Sequence, residues 1–547
     1  MFEAKEQVDV PTQDLLSWYF DKPACDPDKP IYIDALDPSN NYTLNSAKST
    51  IRKLAAGFRK HGLQKGDVVS IHSFNNIHYP ILVNGINAFG GIFAGTNPSY
   101  QPYELSHAIK AGRVKFLIVE PEILKHALKA ADENKIPRSN ILIFDTFKDQ
   151  KIPKGFKSWR TLLDHGEQDW VRFDDLETAK NTSAGHMFSS GTTGLPKAAY
   201  ISHYNLIAQH VLINDWKPKP YEEKRIMCMP MFHVAVAPCT HWSPLKNGVE
   251  TYVMRRFELE TWLATIEKYR ITDIASVPPM IISIIMSDKT KKYDLSSVKF
   301  ATCGAAPLDK GPQARFQSLL DNAIFTQVWG MTETTCIVTN FPYPETDDTG
   351  SVGRSLPGLD MKLIDDEGKD ITDYDVRGEL CVRGPTVIGG YLDKDATAAS
   401  WDKEGFFHTG DVAYCAKDSG KWYIVDRKKE LIKVRGFQVA PPELESVLLS
   451  HPHIVDAAVI GVKPFKDDDS EYPRAYVVRR DSAEGKKLDS ETVKKFMAER
   501  LAKYKRLDGG VAFLDDIPKN PSGKILKRTL REWAEKELKQ EKQTSKL

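Results

Sequence analysis

Alternation of apolar and polar positions sorts much of the chain into short strands and amphipathic helices. GDVVSIHS (66–73) is apolar and β-branched, which predicts a buried strand. YPILVNGINAFGG (79–91) predicts a helix that ends in glycines. VKFLIVE (114–120) predicts a second strand, and PEILKHALKAADEN (121–134) a helix opened by Pro121, whose missing N–H has no intrahelical partner at that position. Short buried strands separated by helices indicate the α/β class with layered, largely parallel sheets.

Near residue 420 the pattern changes. A strand runs into the charged stretch DRKKE (426–430), followed by a strand LIKVRGFQV (431–439), a helix opened by Pro441 and Pro442, and a strand VDAAVIGV (455–462). A charged, solvated junction suits a hinge. The expected boundary is Lys429, with a large N-terminal domain over 1–428 and a small, mobile α/β domain over 429–547.

Composition narrows the class. Of 547 residues 41% are hydrophobic and 27% charged, with a net charge of +1, so no global field attracts nucleic acid. The seven cysteines show no CxxC spacing, which suits a reducing compartment. The N-terminus lacks the apolar core of a secretory signal. The most apolar stretch, Ile274 to Ser287, is too short for a transmembrane segment and contains Pro278 and Pro279. A soluble intracellular protein is expected, and Ser545-Lys546-Leu547 reads as a peroxisomal address for the import receptor.

The chemistry is concentrated in HMFSSGTTGLPKAAY (186–200). In the common phosphate loop a lysine directly follows the last glycine, and a hydroxyl residue follows the lysine. Here Leu195 and Pro196 separate Gly194 from Lys197, so that loop is excluded. Glycines still let backbone N–H groups converge on an anion, and Ser189, Ser190, Thr192 and Thr193 add donors. A polar surface turn has the same composition.

The complete run SSGTTGLPK resembles the signature of the adenylate-forming superfamily, in its acyl-CoA synthetase and 4-coumarate–CoA ligase branch. The resemblance continues in order through GGIFAGTNPSYQPYEL (90–105), MPMFHVA (229–235), GAAPL (304–308), QVWGMTETT (327–335), GELCVRGP (378–385), GFFHTGDVA (405–413), DRKKELIKVRGFQVAPPELE (426–445) and PKNPSGKILKR (518–528). It implies an ATP-dependent acid–thiol ligase that makes an acyl-AMP and passes the acyl group to coenzyme A. Luciferase-type oxygenases and carrier-protein-loading enzymes share these core motifs and stay open as alternatives.

The resemblance also implies site residues. Ser189, Ser190, Gly191, Thr192, Thr193, Gly194 and Lys197 would hold the phosphates of ATP, with Thr332 and Glu333 at the α-phosphate and Mg²⁺. Gly304, Ala305, Ala306 and Trp329 would surround the purine, Trp329 by stacking, Gln327 and Gly330 would also belong to the ATP/AMP site, and Asp411 and Arg427 would bind the ribose. Lys524 would bridge carboxylate and α-phosphate. Lys429 would be the pivot, Gln438 would lie near AMP, and Lys433 would serve the thioester step. Arg256, Arg435 and Gly436 would meet coenzyme A. His233, Ala235, Cys303, Val328 and Cys336 would outline the acyl pocket. Ala235 and Val328 replace the Tyr and Gly of 4-coumarate ligases, so an apolar pocket for a medium-chain fatty or aryl-alkanoic acid is expected.

Overall fold

The computed structural model describes the chain except residues 1, 5, 148, 190–195, 429, 435–436, 465–469, 502, 521–522 and 545–547. Among the described residues, two seven-stranded sheets dominate the N-terminal part. One runs Ile324–Gln327, Phe300–Cys303, Asp273–Ser276, Lys224–Met227, Glu250–Val253, Pro30–Asp34 and Asn41–Thr43, parallel up to its last, antiparallel pair. The other is parallel from Lys157–Ser158 across to Ser183–Ser189, and closes with Lys197–Ser202 antiparallel.

Both expected early strands form, as Val68–His72 and Val114–Val119, and lie side by side in the second sheet. The helix His78–Ala88 is buried along its whole length. Against it packs Leu44–Lys60, capped by Thr43 and Ser46, through Ala47, Ile51, Leu54 and Phe58. The helix expected from Pro121 starts as a single 3₁₀ turn, Pro121–Ile123, and becomes α-helical over Leu124–Glu133.

Two expectations need correction. The parallel pattern does not extend to a third sheet, Asp370–Ile371, Asp360–Ile364, Gly378–Arg383, Phe407–Cys415 and Trp422–Arg427, which is antiparallel throughout. Its connections include no helix longer than Lys394–Ala398, and antiparallel neighbours need no helical crossover. Residues 431–439 are not one strand. Ile432–Val434 pairs antiparallel with Phe437–Val439, Val434 facing Phe437. Hydrophobic alternation continues across so short a reversal and cannot reveal it.

From Ile432 onward the chain builds its own core, in which Leu444, Leu448, Val459, Val477 and Met497 meet. Its sheet joins Ile454–Val462, Tyr472–Arg479 and Gly510–Leu514, and its last helix is Lys527–Thr544. The loop before that helix packs against the N-terminal part: a Cβ on Gly523 would lie 2.7 Å from Pro279 Cγ, and its φ of +82° also favours glycine.

Candidate active site

The strand Trp329–Met331 enters a single turn, Thr332–Thr334, and returns as Cys336–Asn340. Gly330 is required there, because a Cβ would fall 1.5 Å from the Cys336 carbonyl oxygen. The return is strained at Thr335 (φ 57°) and Cys336 (φ 115°), conformations that cost about 1–3 kcal/mol each. Thr334 Oγ1 holds the turn by accepting the Met331 N–H at 3.0 Å. The result is an inward Glu333, 2% exposed. Its Oε1 accepts the Tyr391 hydroxyl at 2.6 Å, while Oε2 is buried with no hydrogen-bond partner among the described residues. Lys197 Nζ lies 5.2 Å from the centre of the Tyr391 ring, and Lys197 pairs in register with Ser189. Ser189 and Lys197, the two ends of the SSGTTGLPK run, are thus linked through Tyr391 to Glu333; Ser190, Gly191, Thr192, Thr193 and Gly194 lie outside the described residues.

Asp411 and Arg427 are cross-strand neighbours with 3.4 Å between Arg427 Nε and the carboxylate. The second Asp411 oxygen accepts the Trp329 indole N–H at 2.9 Å. Trp329 is not on the cavity wall but packs with Leu212 and Val338, so the expected stacking is corrected to an orienting role. A buried indole N–H must find an acceptor, and Asp411 supplies it. Gln327 is corrected in the same sense. Its amide accepts from Leu308 N (3.0 Å) and donates to Leu308 O and Gln313 Oε1 (2.8 Å each), bracing the 304–308 loop instead of facing a nucleotide. On that loop Gly304 and Ala305 (φ 68°) reach the cavity, and Ala306 is half-buried behind them.

His233 Nδ1 accepts the Ala235 N–H at 3.1 Å, which leaves the hydrogen of the neutral ring on Nε2. Burial, helped by the charge of Lys524, holds its pKa down at about 4. Ala235, Val328 and Cys336 line the cavity, and the Cys336 thiol donates to the Ala235 carbonyl at 3.4 Å. Cys303 does not line it. It points to the opposite face from its strand neighbours Thr302 and Gly304, into the core, 1% exposed, with its thiol pushed up to about 12 by burial.

Lys524 enters the same cavity from the C-terminal domain. Asn520 holds its loop: Oδ1 accepts the Lys524 N–H at 2.8 Å, and the Asn520 N–H donates to the Lys524 carbonyl at 2.9 Å. Burial and then the Arg427 charge lower its pKa to about 8. Lys433 is exposed, off the cavity, its backbone N–H on Glu471 Oε2 at 3.0 Å. Arg256 is 72% exposed and pairs with Glu258. Lys429, Arg435 and Gly436 lie outside the described residues, and Gln438 is described only as the strand partner of Lys433. The whole cavity has a volume of about 1360 Å³. Tyr391 and Asn520 are absent from the sequence reading, since neither a tyrosine after two glycines nor an asparagine in a polar loop carries a local signal of its contacts.

The AMP-binding enzyme family model matches residues 20–392, and the model of the AMP-binding enzyme C-terminal domain matches 443–524. The chain is 52% identical to phenylacetyl-CoA ligase epaB of Aspergillus niger, covering 98% of this chain and all of that protein. It is also 52% identical to acyl-CoA ligase azaF of Aspergillus niger, covering 97% of this chain and all of the other. Among solved structures it superposes on ATP-bound MatB from Rhodopseudomonas palustris with a TM-score of 0.82 and 26% identity, covering 95% and 98% of the two chains.

Proposed function

The chain belongs to the AMP-binding enzyme family and is an AMP-forming acid–CoA ligase, and we propose that its acid is an aryl-alkanoic or medium-chain fatty acid activated between His233 and Lys524. The observation that carries this reading is the shared cavity of Lys524, His233 and Glu333, delivered by two domains. A carboxylate oxygen bonds the α-phosphorus of ATP while the bond to the bridging oxygen breaks, and its electrons leave with pyrophosphate. The thiol sulfur of coenzyme A, its proton lost, then bonds the acyl carbon and AMP departs.

Two anions must meet in the first step, so a positive charge placed beforehand lowers the barrier most effectively. Lys524 supplies it from a desolvated position, where charge acts strongly. Neutral His233 offers Nε2–H to the acyl carboxylate, and Asp411 and Arg427 suit the ribose hydroxyls. Glu333, with Oε2 unpartnered, fits Mg²⁺. Among the described residues no group of three or more His, Cys, Asp or Glu side chains is placed to hold a metal, so the cation would rest on Glu333 and the nucleotide's own phosphates, whose charge it offsets. Rotation about Lys429 would exchange Lys524 for Lys433, which supports a thioester step in a second arrangement.

Acid-dependent ATP–pyrophosphate exchange, followed by mass detection of the CoA thioester, tests the reading. Phenylacetate and C6–C10 acids are expected to support both; absence of exchange with every acid in a broad panel overturns it. Ser545-Lys546-Leu547 supports a peroxisomal address, although these residues lie outside the described ones. Among the described residues no helix is long and apolar enough to cross a membrane. A fluorescent fusion that stays in peroxisomes after loss of those three residues would refute the address.

A further inference from the structure

The acyl cavity lies on one face of the first parallel sheet, and its wall is layered by the strand pleat. At the C-terminal ends of the strands the lining includes Met229, Val277 and Gly304; two residues back along the strands come Met227, Ala275 and Thr302. Ala275 and Thr302 are cross-strand partners. Two residues further back is a layer of a different kind, in which Arg225 faces Asp273 and Asp273 faces Phe300. The four residue steps from Gly304 to Phe300 span roughly 13 Å at the usual strand rise. The apolar pocket expected from the sequence therefore describes the middle of the cavity only.

The far layer is charged and lines the cavity. Arg225, 14% exposed, donates through Nε (3.0 Å) and Nη2 (2.6 Å) to Glu223, and through Nη2 to Asn214 at 3.3 Å. Lys219 bonds Asp273, lies 3.3 Å from Glu223 and sits over the Phe300 ring. Tyr221 donates to Asp273 at 3.3 Å. Two cations and two carboxylates cancel, so the layer has no surplus charge for a second carboxylate. Among the described residues the hydrogen bonds of Arg225 run through Nε and Nη2, which leaves Nη1 without a partner. A guanidinium donor facing an apolar tail loses hydration without return, whereas a neutral acceptor there regains the bond.

We infer that the preferred acid is long enough to cross the apolar middle of the cavity and carries a neutral hydrogen-bond acceptor, a hydroxyl or carbonyl oxygen, at its far end, which Arg225 reads as a specificity-determining residue. The inference rests on the reading of this cavity as the acyl site. An acid that ends short of the layer, such as phenylacetate, gains nothing from it. The plain alkyl acid of full length fills the same space but leaves Nη1 unpaired, and so is discriminated against.

The test compares kcat/KM in ATP–pyrophosphate exchange for decanoate with that for 8-, 9- and 10-hydroxydecanoate, phenylacetate being run alongside. In the parent enzyme one hydroxy acid is expected to exceed decanoate by about tenfold, the worth of a bond to a charged donor. In Arg225→Met that ratio is expected to fall to one or below. The ratio within each enzyme cancels any loss of active molecules, and the parent comparison stands even if the variant does not fold. Decanoate matching or exceeding every hydroxy acid in the parent overturns the inference, as does a ratio that survives Arg225→Met. If no acid in the panel, phenylacetate included, supports exchange, the acyl-site reading itself fails; exchange without a hydroxyl preference removes only the role of Arg225.

Discussion

The Tyr391 hydroxyl is bonded to one oxygen of Glu333 at 2.6 Å, and the other oxygen of that carboxylate is buried with nothing to accept from among the described residues. This arrangement fixes the plane of the carboxylate and aims its unpartnered oxygen. Tyr391→Phe removes the fixing bond without changing the ring. Losing such an outer partner typically costs 10–100-fold in metal affinity. Exchange titrated against free Mg²⁺ at constant ATP should show a half-saturating concentration raised about tenfold. An unchanged titration would separate Tyr391 from cation binding.

Lys524 faces the cavity while Lys433 stands off it, so the two lysines are expected to serve different half-reactions. Lys524→Ala should reduce pyrophosphate exchange by ~10²–10³-fold, the scale of one lost preorganised contact. Lys433→Ala should keep most of the exchange and lose CoA thioester formation from preformed acyl-AMP. Equal damage to both steps in both variants would rule out the rotation.

The pH profile follows from two neighbouring groups. Burial and the Arg427 charge bring Lys524 to about 8, and the proposed mechanism uses its protonated form. Exchange measured as kcat/KM should therefore fall above pH 8, approaching tenfold per pH unit. His233, held at about 4 by burial and then Lys524, is neutral throughout the working range and adds no break between pH 5 and 7. A rate that keeps rising to pH 10 would show that Lys524 need not be charged.

Val328 Cγ2 lies 2.9 Å from where a Gly304 Cβ would sit, so the valine closes the wall against a bare backbone. Val328→Gly opens that wall. The ratio of kcat/KM for 4-coumarate over phenylacetate should rise by at least about tenfold, the lower end of what a single methylene-sized step in an apolar pocket is worth. A fall in the ratio would show that Val328 does not bound the acyl group.

At the junction between the domains, Lys527 lies 3.3 Å from Glu445, 3.4 Å from Glu430 and 4.0 Å from Asp426. Burial first, then Glu430 and Glu445, pushes the Asp426 carboxyl up to about 7 against the opposing pull of Lys527. The folded protein thus retains a proton that an unfolded aspartate, with a pKa of about 3.9, gives up. Stability from this group is complete below about pH 4 and is lost as pH rises through about 7. Asp426→Asn cannot ionise, so its Tm relative to the parent should rise between pH 5 and pH 8. A difference independent of pH would contradict the assignment.

The reaction was legible from the order of residues alone, because the groups proposed for phosphate and ribose are bound to short motifs whose backbone geometry is local. The Gly330–Thr332–Glu333 turn, Asp411 with Arg427, and the loop that presents Lys524 each lie within a few residues of chain. The strands and helices of the first parallel sheets were legible for the same reason: burial on both faces leaves continuous apolar runs. What required the tertiary structure was everything made by residues distant in sequence. Gln327 and Trp329 sit in nucleotide-site motifs, yet their polar atoms are used by Leu308, Gln313 and Asp411. Tyr391 reaches Glu333 across 58 positions. The charged layer of the cavity is joined only when the strands bearing Arg225, Asp273 and Phe300 come into register. A strand's pattern tells which residues share a face, but its neighbour in the sheet decides what they face together.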